Sequence, residues 1–183
     1  HESHAASTAN SSSLLTFDTS LPAINRLYTA GKVKQALSQF SPSIDISNIK
    51  FSFSQVEQKT KMQWLTLLAK LGNNPAQFSL FKSTDVTLSR EQRHFWLDIA
   101  LSSHYQPALV YQAEWLIQQQ RFSDLDKLLE QFDNTDPLYS IYRLYKLIGN
   151  ADPHWQKLYT TLLSAKNNLP PKVVSKLLQI ESV

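Results

Sequence analysis

Cysteine is absent from this 183-residue chain, so no disulfide framework and no thiolate metal site can form. Glycine is nearly as scarce. Three residues leave little material for a Gly-x-Ser-x-Gly nucleophile elbow, an oxyanion loop, or the phosphate-cradling turns of P-loop and Rossmann folds. No apolar run reaches the ~18 residues that a membrane-spanning helix needs. A large excess of one charge is missing too. Eighteen Lys and Arg stand against fifteen Asp and Glu, for a net charge of +3, which is too little to build a strongly basic face unless the charges cluster. They do not: Lys32/Lys34, Lys59/Lys61 and Arg90/Arg93 fall on separate segments, the pattern of solvated helix faces. Nucleic acid is therefore not an expected partner.

Metal-ligand spacings are lacking as well. His94 and His104 are ten positions apart, not three or four, and no His-Glu-x-x-His occurs. His1, Glu2 and His4 sit in a polar opening with no preorganised geometry, and His154 falls at a helix start. The acid pairs Asp124/Asp126 and Asp133/Asp136 lie at expected helix ends, where capping and the helix dipole account for them. The chain is expected to be non-catalytic, with no metal and no cofactor.

What the sequence does contain is a core. It is 42% hydrophobic and 11% aromatic, rich in leucine and glutamine, and suited to an all-α fold. The opening, HESHAASTANSSS, is polar and built of small residues. The chain begins at His1 and its one methionine is Met62, so it reads as a processed protein or a fragment, with residues 1–15 a disordered spacer left after removal of a signal peptide. Residues 16–183 are then one all-α domain.

The stretch 106–132, QPALVYQAEWLIQQQRFSDLDKLLEQF, organises that domain as two amphipathic helices. The first carries Ala108, Tyr111, Ala113, Trp115 and Leu116. The second carries Phe122, Leu125, Leu128, Leu129 and Phe132. Before them, helices are expected from Ser20 to Gly31, from Val33 to Phe40, and from a capping box at Ser54–Glu57 to Leu71, with Gly72 as the C′ glycine. A short helix capped by Asn74-Pro75 and one opened by the capping box Ser89–Gln92 follow. The latter bears Phe95, Trp96, Ile99, Ala100 and Leu101. Asp136-Pro137, Asp152-Pro153 and Pro170-Pro171 open the last three, and Gly149 ends the first of these. That makes about ten helices. Residues 42–53 alternate Ile44, Ile46, Ile49, Phe51 and Phe53 with polar residues, an extended pattern. With no second strand in view, an extended connection packing these side chains on helices is expected.

The hairpins share a frame. LYTAGKVKQALSQF at 27–40, LAKLGNNPAQFSLF at 68–81, LIQQQRFSDLDKLL at 116–129 (with Gln120 in the glycine position) and YKLIGNADPHWQKLY at 145–159 each place a helix, a turn and a second helix in register. This resembles a degenerate tetratricopeptide or Sel1-like repeat, most closely at Leu27, Gly31, Ala36 and Phe40. The resemblance implies stacked helical hairpins, an α-solenoid presenting a surface for peptides or proteins. A non-repeating helical bundle is the alternative architecture.

The functional expectation is a protein-interaction scaffold or adaptor of the bacterial envelope, periplasmic or secreted, whose partner is a peptide or protein such as a cell-wall enzyme. Tyr105, Tyr111, Gln112 and Arg143 are the candidate partner-binding residues, because aromatics and arginine are favoured anchors. Trp64, Trp96, Trp115 and Trp155 are expected mainly in the core. Two other readings fit the same residues: a regulatory amino-terminal domain of a larger secreted enzyme such as a cell-wall hydrolase, and a glycan-binding module using exposed tryptophans.

Overall fold

The computed structural model describes residues 14–15, 45–51, 53 and 56–180. Among them are eight α-helices: α1 Gln58–Lys70, α2 Asn74–Lys82, α3 Arg90–Ser102, α4 Gln106–Gln118, α5 Phe122–Leu129, α6 Pro137–Gly149, α7 Trp155–Ser164 and α8 Pro171–Ile180. The all-α class holds. The two helices expected between Ser20 and Phe40, the matching residues Leu27, Gly31, Ala36 and Phe40, and nearly all of the expected tail lie outside the described residues. Successive helices start 16, 16, 16, 16, 15, 18 and 16 residues apart. Contacts divide the chain into two compact units, His1–Tyr105 and Gln106–Val183.

Four helices stop in the same way. In the Schellman arrangement the second residue past the cap bonds back five positions and the first bonds back three, with the first in the left-handed region. Asn73 N–H bonds Leu68 O and Gly72 N–H bonds Ala69 O; Tyr105 bonds Ala100 and His104 bonds Leu101; Arg121 bonds Leu116 and Gln120 bonds Ile117; Asp152 bonds Leu147 and Ala151 bonds Ile148. The left-handed residues are Gly72 at φ 94°, His104 and Gln120 at 55°, and Ala151 at 54°. Gln120 does occupy the glycine position of its turn. Gly149 does not: it is the last residue of α6, and Ala151 makes the turn. A Cβ on Gly149 would collide with Phe122 Cζ, so this glycine admits the Phe122 ring against the helix.

In the first unit, Trp64, Leu65, Leu67, Leu68 and Ala69 of α1 meet Ala76 and Leu80 of α2 and Trp96 of α3, with Ile46, Phe51 and Phe53 packed against them. The extended segment thus lies on the helices as its alternation implies. It does have a strand partner: β1 Leu14–Leu15 pairs in parallel with β2 Lys50–Phe51. Asn73, 1% exposed, ties the segment down. Its Nδ2 donates to Ile46 O at 2.6 Å and Ile49 O at 2.7 Å, and its Oδ1 accepts from Ala76 N. Asn73, not Asn74, is therefore the cap of α2, with the proline inside the first turn.

The other helix starts divide. Ser89 and Gln92 form the full reciprocal capping box. α1 opens at Gln58 instead of within the expected box, because Glu57 is extended at ψ 143° and makes no side-chain cap; Val56 N–H bonds Phe53 O there. In α3 the buried side chains are Trp96, Leu97 and Ala100, whereas Phe95 is 56% exposed.

In the second unit, α5 packs on α4 and α6, and α6 packs on α7 and α8. Ala108, Leu109, Ala113 and Leu116 of α4, Leu125, Leu128 and Leu129 of α5, Ile141, Tyr142 and Leu144 of α6, and Val173, Leu177 and Ile180 of α8 are buried. Trp115, expected mainly in the core, is exposed, and so is Tyr111, which the sequence places both on the apolar stripe of α4 and among the candidate partner-binding residues. At 100° per residue they sit about 120° around the helix from the buried stripe.

Candidate interaction site in the second unit

Helix α6 is held from both sides. Asp136 caps its start by accepting from Leu138 N at 2.9 Å and takes a second bond from Gln106 Nε2 at 2.6 Å. Inside, the Tyr142 hydroxyl donates to Glu114 Oε2 of α4 at 2.8 Å, and Lys176 Nζ of α8 donates to the same oxygen at 2.8 Å. Burial, then the Glu114 carboxylate, pushes the Tyr142 phenol far above its usual range. One acid thereby joins three helices.

The outward side of α6 faces a cleft shared with α7. Arg143 and Leu147 are one turn apart on α6. His154, Lys157, Leu158 and Thr161 line it from the start of α7, and Asp152 lies in the turn between. The opening encloses about 390 Å³. Asp152 Oδ1 accepts the His154 N–H at 2.9 Å and lies 2.7 Å from His154 Nδ1. Those bonds hold its carboxyl below the usual range. The helix that forms this wall is unusual: none of Trp155, Leu158, Tyr159, Leu162 and Leu163 is buried, although the stripe is amphipathic.

The expected partner-binding residues fall on different elements. Arg143 lines the cleft. Tyr111 and Gln112 are on α4 and are not part of its lining. Tyr105 belongs to the first unit, half-buried edge-on to Phe78 at 6.0 Å between ring centroids, with burial raising its phenol. Of the tryptophans, Trp64 and Trp96 are core, Trp155 is half-buried and Trp115 is exposed with the Arg121 guanidinium 5.3 Å over its ring. Lys157 and His154 line the cleft without being among the expected partner-binding residues. Their i, i+3 spacing, opposite Arg143 and Leu147 across one turn, is the signal that points to them.

In the first unit a recess of about 850 Å³ lies between the start of α1 and the 83–88 loop, with Met62, Val86 and Leu88 among its walls. Among the described residues no three His, Asp or Glu side chains come together to hold a metal ion, and no helix is long and apolar enough to cross a membrane. No protein-family model, curated protein or solved structure matches the chain.

Proposed function

We propose that this chain is a non-catalytic protein-interaction domain of an exported bacterial envelope protein, a scaffold or adaptor that binds a peptide or protein along α6 and α7. The observation that carries this reading is α7, a helix with five large apolar side chains and none buried. A globular domain gains about 25 cal/mol per Å² of apolar area removed from water, so a stripe left half-covered is one that a partner can finish covering. The near-constant 16-residue interval between helix starts supports a helical-repeat architecture: two such intervals make a hairpin of about the length of a tetratricopeptide unit. Repeat arrays of this kind act through extended binding faces.

A photoreactive benzoylphenylalanine in place of exposed Thr161, at the mouth of the cleft, tests the reading. Irradiation in envelope extract is expected to join the chain to a defined protein, and the adduct is lost on competition with excess unlabelled chain. Absence of any competed protein adduct from this position refutes it. A glycan-binding reading is favoured by one observation, the exposed pair Tyr111 and Trp115 one turn apart on α4. Quenching of Trp115 emission by soluble glycans, lost in Trp115→Phe, would establish that reading in its place.

A further inference from the structure

We infer that the cleft between α6 and α7 takes an acidic peptide segment: a carboxylate held between Arg143 and Lys157, with a neighbouring apolar side chain on Leu147 and Leu158. This rests on the interaction reading above and names the class of partner. The argument begins with which charges are already paired. Lys146 bonds Asp126, Lys176 bonds Glu114 and Arg121 bonds Asp124. Arg143 and Lys157 have no such partner among the described residues, and both line the same opening. The one acid there, Asp152, is already engaged by the backbone and ring of His154. The cleft therefore presents an unbalanced positive charge over two leucines.

The chemistry narrows further. A guanidinium binds a carboxylate through two parallel N–H donors, and a lysine ammonium adds a point charge from the other side. A volume of about 390 Å³ is near the lower end of ligand pockets and admits a side chain or two, not a folded surface. Tyr159 and Leu162 on the same helix are half-buried, and leave further apolar surface for the rest of the segment. A nucleic-acid backbone is the poorer fit, because it draws affinity from many phosphate contacts and this cleft offers two unpaired cations.

The test uses the full chain, a fluorescein-labelled peptide with two glutamates flanking a leucine pair, and the same peptide with glutamines replacing the glutamates. Polarisation is expected to show binding of the glutamate peptide that weakens with salt. Arg143→Ala and Lys157→Ala should each lower affinity about three- to fivefold, as exposed charge pairs do, and the glutamine peptide should bind more weakly still. Both side chains are exposed, so unchanged helical circular dichroism in the variants verifies the fold. Equal binding of both peptides overturns the acidic class while leaving the interaction reading intact. So does binding indifferent to both substitutions, and so does binding of neither peptide while Thr161 still cross-links a protein. A single-stranded oligonucleotide that binds this cleft in place of peptide overturns the inference and the interaction reading together.

Discussion

Replacing Ala151 by glycine should make the second unit more stable. Ala151 sits at φ 54°, where an L-residue is about 1–2 kcal/mol less favourable than in the right-handed region. Glycine carries no such penalty. The opposing effect is the larger freedom of glycine in the unfolded chain, about 0.4–1 kcal/mol. The net gain is about 0.5–1 kcal/mol, because no side-chain contact beyond a methyl group is lost. The reverse substitution in the first unit, Gly72→Ala at φ 94°, meets no atom within 4 Å of the added Cβ. Its cost of about 1 kcal/mol is thus conformational alone. Urea unfolding followed by circular dichroism reads both. With a slope of about 1.5 kcal/mol per M, Ala151→Gly should raise the midpoint of its transition by about 0.3–0.7 M, and Gly72→Ala should lower its own by a similar amount. Gln120→Gly should behave as Ala151→Gly does, since its exposed side chain makes no hydrogen bond among the described residues. A lowered midpoint in Ala151→Gly would refute the assignment of a left-handed residue to the α6 terminus.

Gly149→Ala should cost about 1–3 kcal/mol by overpacking against Phe122, and Phe122→Leu in the same chain should recover part of the loss; simple additivity in that double-mutant cycle would sink the contact. Asp45, Asp85, Asp133 and Asp152 each accept hydrogen bonds from the residue two positions on: chiefly the N–H of Ser47, Thr135 and His154, and for Asp85 the Thr87 hydroxyl. All four carboxyls are held low. Their folded values lie below the unfolded value near ~3.9, so these turns are intact above that pH and loosen as pH falls through the folded values. Carboxyl-carbon NMR should place all four midpoints below the model-peptide value, and Asp85→Asn, which keeps the acceptor, should retain the turn in acid.

Sequence reading located most of the helices because their signals are local. Gly72, the Ser89/Gln92 box and Asp136-Pro137 each satisfy backbone groups within one turn, and the residue types that can do so are few. Gln120 is legible because its hairpin shares the frame of the glycine-bearing turns. Ala151 carries no such mark: its left-handed conformation comes from the surrounding hydrogen bonds and not from its own preference, and the visible glycine, Gly149, lies two positions earlier. Size does not mark the inward face of α4: Tyr111 and Trp115 are large and exposed, whereas the small Ala108 and Ala113 are buried. The 16-residue interval is not legible in the sequence because it is a property of helix starts, whose preceding residues include Glu57, Asn73, Ser89, Arg121 and Asp136 and share no identity. Arg143 was recognisable as a candidate anchor, but its companions come from another helix, and a turn has to fold before they meet.

The Glu114 carboxylate has a consequence for the order in which the second unit assembles. Its bond from Tyr142 spans 28 residues of chain, and its bond from Lys176 spans 62. Closing the longer loop costs about 0.7 kcal/mol more in chain entropy, and contacts of high sequence separation are made after local ones. During synthesis the Tyr142 bond can form as soon as α6 emerges, while Glu114 waits with its second acceptor site open until α8 has left the ribosome. Docking of α8 is then the closing event among the described helices of the unit.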